Sequence, residues 1–232
     1  MQVIPAILPK SFREIEEKTA LVRGAADTVQ VDICDGQFTL NRTWPFAEKG
    51  ERGEMRKDRD FAELLAEKKG LPYGEELDYE FDLMVTEPQE AAPDFVRAGA
   101  SRIIVHIESI EPDALSVLIQ EWKHAVDIGL ALKPSTPLKR LETFLHEVTF
   151  VQCMGNDHIG FQGVSLDEET VLPKIAELRK RHPRLSIGID IGVNMKTAPR
   201  LIAAGANRLV AGSAIFGALD PKAAIAQFQQ MV

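Results

Sequence analysis

One phrase recurs three times along the chain and restricts its architecture more than any other feature: VRGAADTVQVD from Val22, VRAGASRIIVH from Val96 and IAAGANRLVAG from Ile202. Each reads as the end of a helix, a Gly-Ala step and a β-branched run. Gly24, Gly99 and Gly205 stand where a helix closes in a left-handed cap, and the run that follows has the composition of a strand. A helix-to-strand junction repeated at wide spacing predicts serial β/α units.

Between these anchors the apolar periodicity predicts strands near 2–8, 28–34, 78–84, 102–107, 128–133, 149–154, 185–190 and 207–211. Helices are expected near 12–23, 60–69, 88–98, 112–126, 138–147, 168–181, 196–204 and 220–231. Several helix starts carry their own signals: Ser11 with Glu14 three residues on, Pro112 at a first helical position, and Asp167 before EETVLPKIAELRK. Eight alternations without a linker predict a single α/β domain over residues 1–232, a (β/α)8 TIM barrel. One stretch exceeds what the barrel requires. Residues 47–77 form a charge-rich insert after the second strand. Phe61, Leu64 and Leu65 predict a helix within it, Ala47 to Arg59 is expected to be a mobile loop, and a solvated surface, a lid or an oligomer contact are its open roles.

Charge excludes some partners. With a formal net charge of −8, the chain has no footprint for nucleic acid or an anionic membrane surface, although a small anion could still be held locally. Cys34 and Cys153 both lie in apolar runs, so a reducing, cytoplasmic setting is expected rather than a disulfide framework. No secretory leader or membrane-spanning run is read from the sequence. A homo-oligomer is expected only because barrels commonly assemble through their outer surface.

In such a barrel the strand ends and the loops after them meet on one face. TVQVDICDG ends the second strand with Asp32 and Asp35; Asp35, directly before Gly36, reads as a turn residue. Asp82 lies in the third strand, His106 and Glu108 end the fourth, and Lys133 ends the fifth. Asp157 and His158 follow the sixth, and Asp190 lies in the seventh. Asp32, Asp82 and Asp190 are carboxylates inside apolar strands at equivalent places, which points to a site rather than three separately buried charges. Gly160, Gly163, Gly192 and Gly212 with Ser213 resemble a phosphate cradle in the last loops.

The segments VDICDGQFTLN, TWPF, FDLMV, VHIE, GLALKPSTP, MGNDHIGFQG, IDIGVN and GSAIFG, in this order, resemble the ribulose-phosphate 3-epimerase family over nearly the whole chain. The resemblance implies a metal-dependent enzyme that interconverts ribulose and xylulose 5-phosphates. Two aspartates would act as acid and base, matched here by Asp32 and Asp190, and two histidines would join them around a divalent ion. The chain departs from that pattern at named places. Gln30 and Asp82 stand where the family has its histidines, Ala6 where it has serine, Cys34 where it has methionine, and Ile191-Gly192 where it has a glycine pair.

Epimerisation beside a ketone needs groups on both sides of one carbon and stabilisation of the enediolate that forms. Three arrangements are open. Gln30, Asp32, Asp82 and Asp190 could form an oxygen-only site favouring Mg²⁺ or Mn²⁺ over Zn²⁺. His158, His106 or Lys133 could act without metal, or the barrel could only bind a phosphosugar. An aldolase or decarboxylase is less favoured, because no Asp-x-Lys-x-x-Asp constellation occurs. The expected function is epimerisation of a pentulose or hexulose phosphate through Asp32 and Asp190.

Overall fold

The computed structural model describes residues 1–46 and 58–231. Eight parallel strands close into one barrel in sequence order: β1 (Gln2–Ile7), β2 (Thr28–Cys34), β3 (Asp78–Met84), β4 (Arg102–His106), β5 (Asp127–Leu132), β6 (Phe150–Met154), β7 (Ser186–Asp190) and β8 (Arg208–Ala211). Around them run α1 (Phe12–Val22), α2 (Arg59–Leu65), α3 (Pro88–Arg97), α4 (Pro112–Trp122), α5 (Glu168–Arg181), α6 (Ala198–Ala204), a short α7 (Ser213–Phe216) and α8 (Pro221–Gln229). The predicted alternation is present except between β5 and β6, and the strands are buried along most of their length. β2 is buried at all seven positions, as expected of a strand between barrel interior and helices.

The anticipated helix ends are formed. The Ser11 hydroxyl accepts the Glu14 amide, Asp167 accepts that of Thr170, and Pro112 opens α4. Gly24, Gly99 and Gly205 take positive φ values of 75°, 103° and 116°, the backbone that closes each helix before the next strand. The helix expected at 138–147 is replaced by a 3-10 turn at Leu138–Arg140 followed by further turns. Its amides bond three residues back, from Leu141 to Leu138 and from Phe144 to Leu141. Leu138, Leu141 and Phe144 are the buried positions, and a spacing of three suits a 3-10 turn better than a 3.6-residue helix.

Two hydrophobic regions result from strand alternation. Outward side chains such as Val31, Phe81 and Ile103 pack under the helices, while inward Cys34, Met84, Ile104, Ala131, Phe150 and Met154 fill the barrel. Aromatic rings extend the outer layer from Phe12 through Trp44 and Phe61 to Phe95 and Phe81. Trp44 is also tied to the start of α2: its indole N–H donates to Asp58 Oδ1 at 2.9 Å, and the same oxygen caps α2 through the Phe61 amide. The expected mobile loop falls largely on residues 47–57, outside the described residues; Asp58 and Arg59 begin α2 in an ordered cap.

Candidate active site

Carboxylates converge at the mouth because the strand register places them there. Asp32 and Asp82 are paired residues of β2 and β3, and Asp190 closes β7 beside Met154 of β6. Inward alternation brings one oxygen of each aspartate within 4.8 Å of the others. All three side chains are buried. Asp32 and Asp190 are closer than groups facing one another across an open mouth, since only β1 and β8 separate β2 from β7 in the closed barrel.

Gln30, two residues before Asp32, also points inward. Its Nε2 donates to Asp32 Oδ1 at 2.8 Å and to Asp190 Oδ2 at 3.2 Å, so one amide bridges the pair. Its Oε1 is buried without a hydrogen-bond partner. Asp82 is held from the other side by His106 Nε2 at 3.0 Å and Gln152 Nε2 at 3.4 Å. Gln152 was not singled out from the sequence, yet FVQCM carries the signal: one polar residue on the inward register of an apolar strand.

Electrostatics follow from this burial. Desolvation first, and then the nearby Asp190 and Asp82 charges, push the Asp32 carboxyl well above its ordinary range. Desolvation and Asp82 raise Asp190 to about 7, against opposing hydrogen bonds from the Ile191 amide and Gln30. Burial alone would depress His106, but the Asp82 carboxylate outweighs it and lifts the imidazole to about 9. Burial would raise Glu108, but His106, Thr136 and the Lys133 amide hold it down to about 2. Burial and mutual repulsion disfavour ionising both carboxyls together, an arrangement that favours one ionised and one protonated group.

A cavity of roughly 400 Å³ opens beside Asp32 and Asp190. Gly160, Gly163, Gly192, Gly212 and Ser213 all line it. Gly192 has φ +74°, and a Cβ there would lie 2.6 Å from the Leu166 nitrogen, so only glycine permits this close approach. At the start of α7 the Ser213 and Ala214 amides have no partner within the helix. No lysine or arginine lines the cavity among the described residues. An anion there would be held by neutral donors.

The other polar candidates lie elsewhere. Asp35 accepts the amides of Gln37, Phe38 and Thr86, so it organises the loop as a turn residue would. The Lys133 ammonium sits 4.8 Å over the Phe38 ring and Lys133 does not line the cavity. His158 is exposed and stacks on Phe161, and Asp157 accepts from Ser135. Below the aspartates, Glu80 and Arg208 form a buried ion pair that the sequence reading missed. Both cysteines are free and buried.

The fold and site together define a (β/α)8-barrel protein with an acidic mouth beside a glycine-walled cavity. Solved structures agree on the fold: 3-hexulose-6-phosphate synthase from Salmonella typhimurium superposes with a TM-score of 0.70 at 16% identity, covering 100% of this chain and 98% of its own. Residues 67–216 match the model of the ribulose-phosphate 3 epimerase family. The ribulose-phosphate 3-epimerase of Bacillus subtilis is 33% identical over 236 residues, covering 99% of this chain and 98% of that protein. The chloroplastic ribulose-5-phosphate-3-epimerase of Arabidopsis thaliana is 34% identical, covering 96% and 74%. This chain belongs to the ribulose-phosphate 3-epimerase family. No described helix is long and apolar enough to cross a membrane.

Proposed function

We propose that the protein epimerises a ketose phosphate at the carbon next to the ketone, with Asp32 and Asp190 as the proton-transfer pair. The observation that carries this reading is the Gln30-bridged carboxyl pair, both members with raised pKa, at the edge of the glycine-walled cavity. The ionised carboxylate removes the proton from carbon 3, and the C–H electrons move to the ketone oxygen to give an enediolate. The protonated carboxyl then returns a proton to the opposite face and becomes ionised. The proton ends on the other aspartate, and exchange with water resets the pair. Family membership of the chain supports the same reading, with ribulose 5-phosphate as the first substrate to test.

The phosphate end of the substrate is assigned to the Ser213 hydroxyl and the backbone around Gly192, Gly212 and Ser213, where the first amides of α7 have no partner within the helix and favour an anion. Incubation with D-ribulose 5-phosphate in D₂O should place deuterium at carbon 3 and produce xylulose 5-phosphate. Absence of exchange with pentulose and hexulose phosphates alike, with and without Mg²⁺ or Mn²⁺, would sink the enzymatic reading and leave a binding barrel.

The residues present suit a divalent cation. Asp32, Asp82 and Asp190 offer oxygens at mutual reach, and the unpartnered Gln30 Oε1 is a further hard donor if the amide turns over. A bound Mg²⁺ or Mn²⁺ would supply Lewis-acid stabilisation of charge developing on the enediolate oxygen. Titration calorimetry with Mn²⁺ at pH 8 should show one site, weakened at least about tenfold in Asp82→Asn, a donor the ion would lose. Affinity should fall as pH drops through 7 because Asp190, raised to about 7, takes up a competing proton. Equal binding in wild type and variant would remove Asp82 from the ligand set.

A further inference from the structure

Loops from opposite sides of the barrel meet over its mouth. β2 and β6 have three strands between them in either direction round the closed sheet. Even so, the Asn41 side chain, in the loop after β2, donates from Nδ2 to the Gly160 carbonyl, in the loop after β6, at 2.7 Å. The other half of the amide is fixed from a third loop. Asn41 Oδ1 accepts the Lys10 ammonium at 2.8 Å and the Arg42 amide at 2.9 Å, and Lys10 also donates to the Arg42 carbonyl at 2.7 Å. Both partners of Oδ1 can only donate, so the amide has one orientation, with its N–H groups toward Gly160.

The two loops are also packed against each other. Gly160 has φ +82°, and a Cβ there would lie 2.9 Å from Thr39 Oγ1 and 3.2 Å from Cys34 Sγ, so glycine lets the loops touch. Phe38 and Ile159, one on each loop, share the apolar cluster that includes Cys34. Beyond Gly160 the chain runs through Phe161, Gln162 and Gly163, all of which line the cavity. Among the described residues, the Asn41 amide makes the one hydrogen bond that reaches residues 160–163. A wall held at so few points would have to be ordered when a ligand binds, and that ordering weakens binding. Fixing it beforehand removes the cost.

We propose that Asn41 is a positioning residue: by tying the loop after β2 to the loop after β6 across the mouth, it holds the cavity wall at residues 160–163 in its binding position before substrate enters. The kinetic part of its test rests on the epimerase reading. Asn41→Asp keeps the acceptor used by Lys10 and loses the donor; Asn41→Leu loses both and adds no charge. Both should raise KM for D-ribulose 5-phosphate about tenfold and leave kcat within about twofold, because the lost hydrogen bond returns as an ordering cost on binding. Amide order parameters from ¹⁵N relaxation at residues 161–163 should be about 0.8 in ligand-free wild type and fall to roughly 0.6 in both variants. A merely structural role would lower kcat with the folded fraction and leave KM unchanged, which overturns the inference. So does a rise in KM confined to Asn41→Asp, where the added charge alone would repel a phosphate. Order parameters of roughly 0.6 in ligand-free wild type overturn it without any variant, and they decide the matter if neither variant folds. No turnover by wild type removes the epimerase reading, while the order parameters of wild type and variants still decide the role of Asn41.

Discussion

Asp190→Asn is expected to slow carbon-3 exchange by about 10³-fold, the loss typical of removing a positioned acid–base group, while making the fold more stable at pH 8. The two effects share one cause. Burial and the Asp82 charge lift the Asp190 carboxyl to about 7, whereas in an unfolded chain it titrates near the usual ~4. Between those values the folded protein binds a proton that the unfolded chain has released, so stability falls as pH rises through the window. Asparagine cannot ionise, keeps an oxygen for the Ile191 amide, and escapes that loss. The gain should open above about pH 4 and be complete above about pH 7, reaching on the order of 4 kcal/mol. Melting at pH 5 and pH 8 with exchange assays on the same samples checks both halves. A variant less stable than wild type at pH 8, or one keeping a tenth of the activity, contradicts the assignment.

Arg208→Ala should destabilise the protein by about 3–5 kcal/mol, because it strands a buried carboxylate below the three aspartates. Arg208 Nη2 donates to Glu80, Nη1 donates to Gln2 Oε1 at 2.6 Å, and the guanidinium lies 4.1 Å over the Phe150 ring. Burial already raises the Glu80 carboxyl, and Arg208 is the main opposing influence. Without the guanidinium, Glu80 must protonate or draw water into the barrel. The double replacement Glu80→Leu with Arg208→Met should recover most of the loss, since an apolar pair of similar volume carries no desolvation penalty. Urea denaturation of the two singles and the double gives the coupling energy directly. A loss under about 1 kcal/mol in Arg208→Ala would show that the floor tolerates an unpaired charge.

Much of the architecture was legible because it rests on local rules. The Gly-Ala junctions, the Ser11 and Asp167 caps and the β-branched runs act within a few residues, and eight repetitions leave closure as the economical outcome. Leu138 to Phe144 misled because a spacing of three is close to the helical period, and burial chose the tighter turn. The inward aspartates were visible as polar residues in apolar strands. Gln152 and the Glu80–Arg208 pair carried the same signal in a weaker form.

The sequence by itself determined the order of the strands, the family resemblance and the three inward aspartates, because composition and periodicity encode what each segment must bury. Only the closed barrel decided which residues meet. Asp190 lies 160 residues beyond Gln30, yet one amide joins it to Asp32. Asp82 lies 24 residues before His106 and faces it across adjacent strands. Those encounters arise from strand register and closure, and the raised pKa values of Asp32 and Asp190 follow from shared burial rather than from either residue's neighbours in sequence.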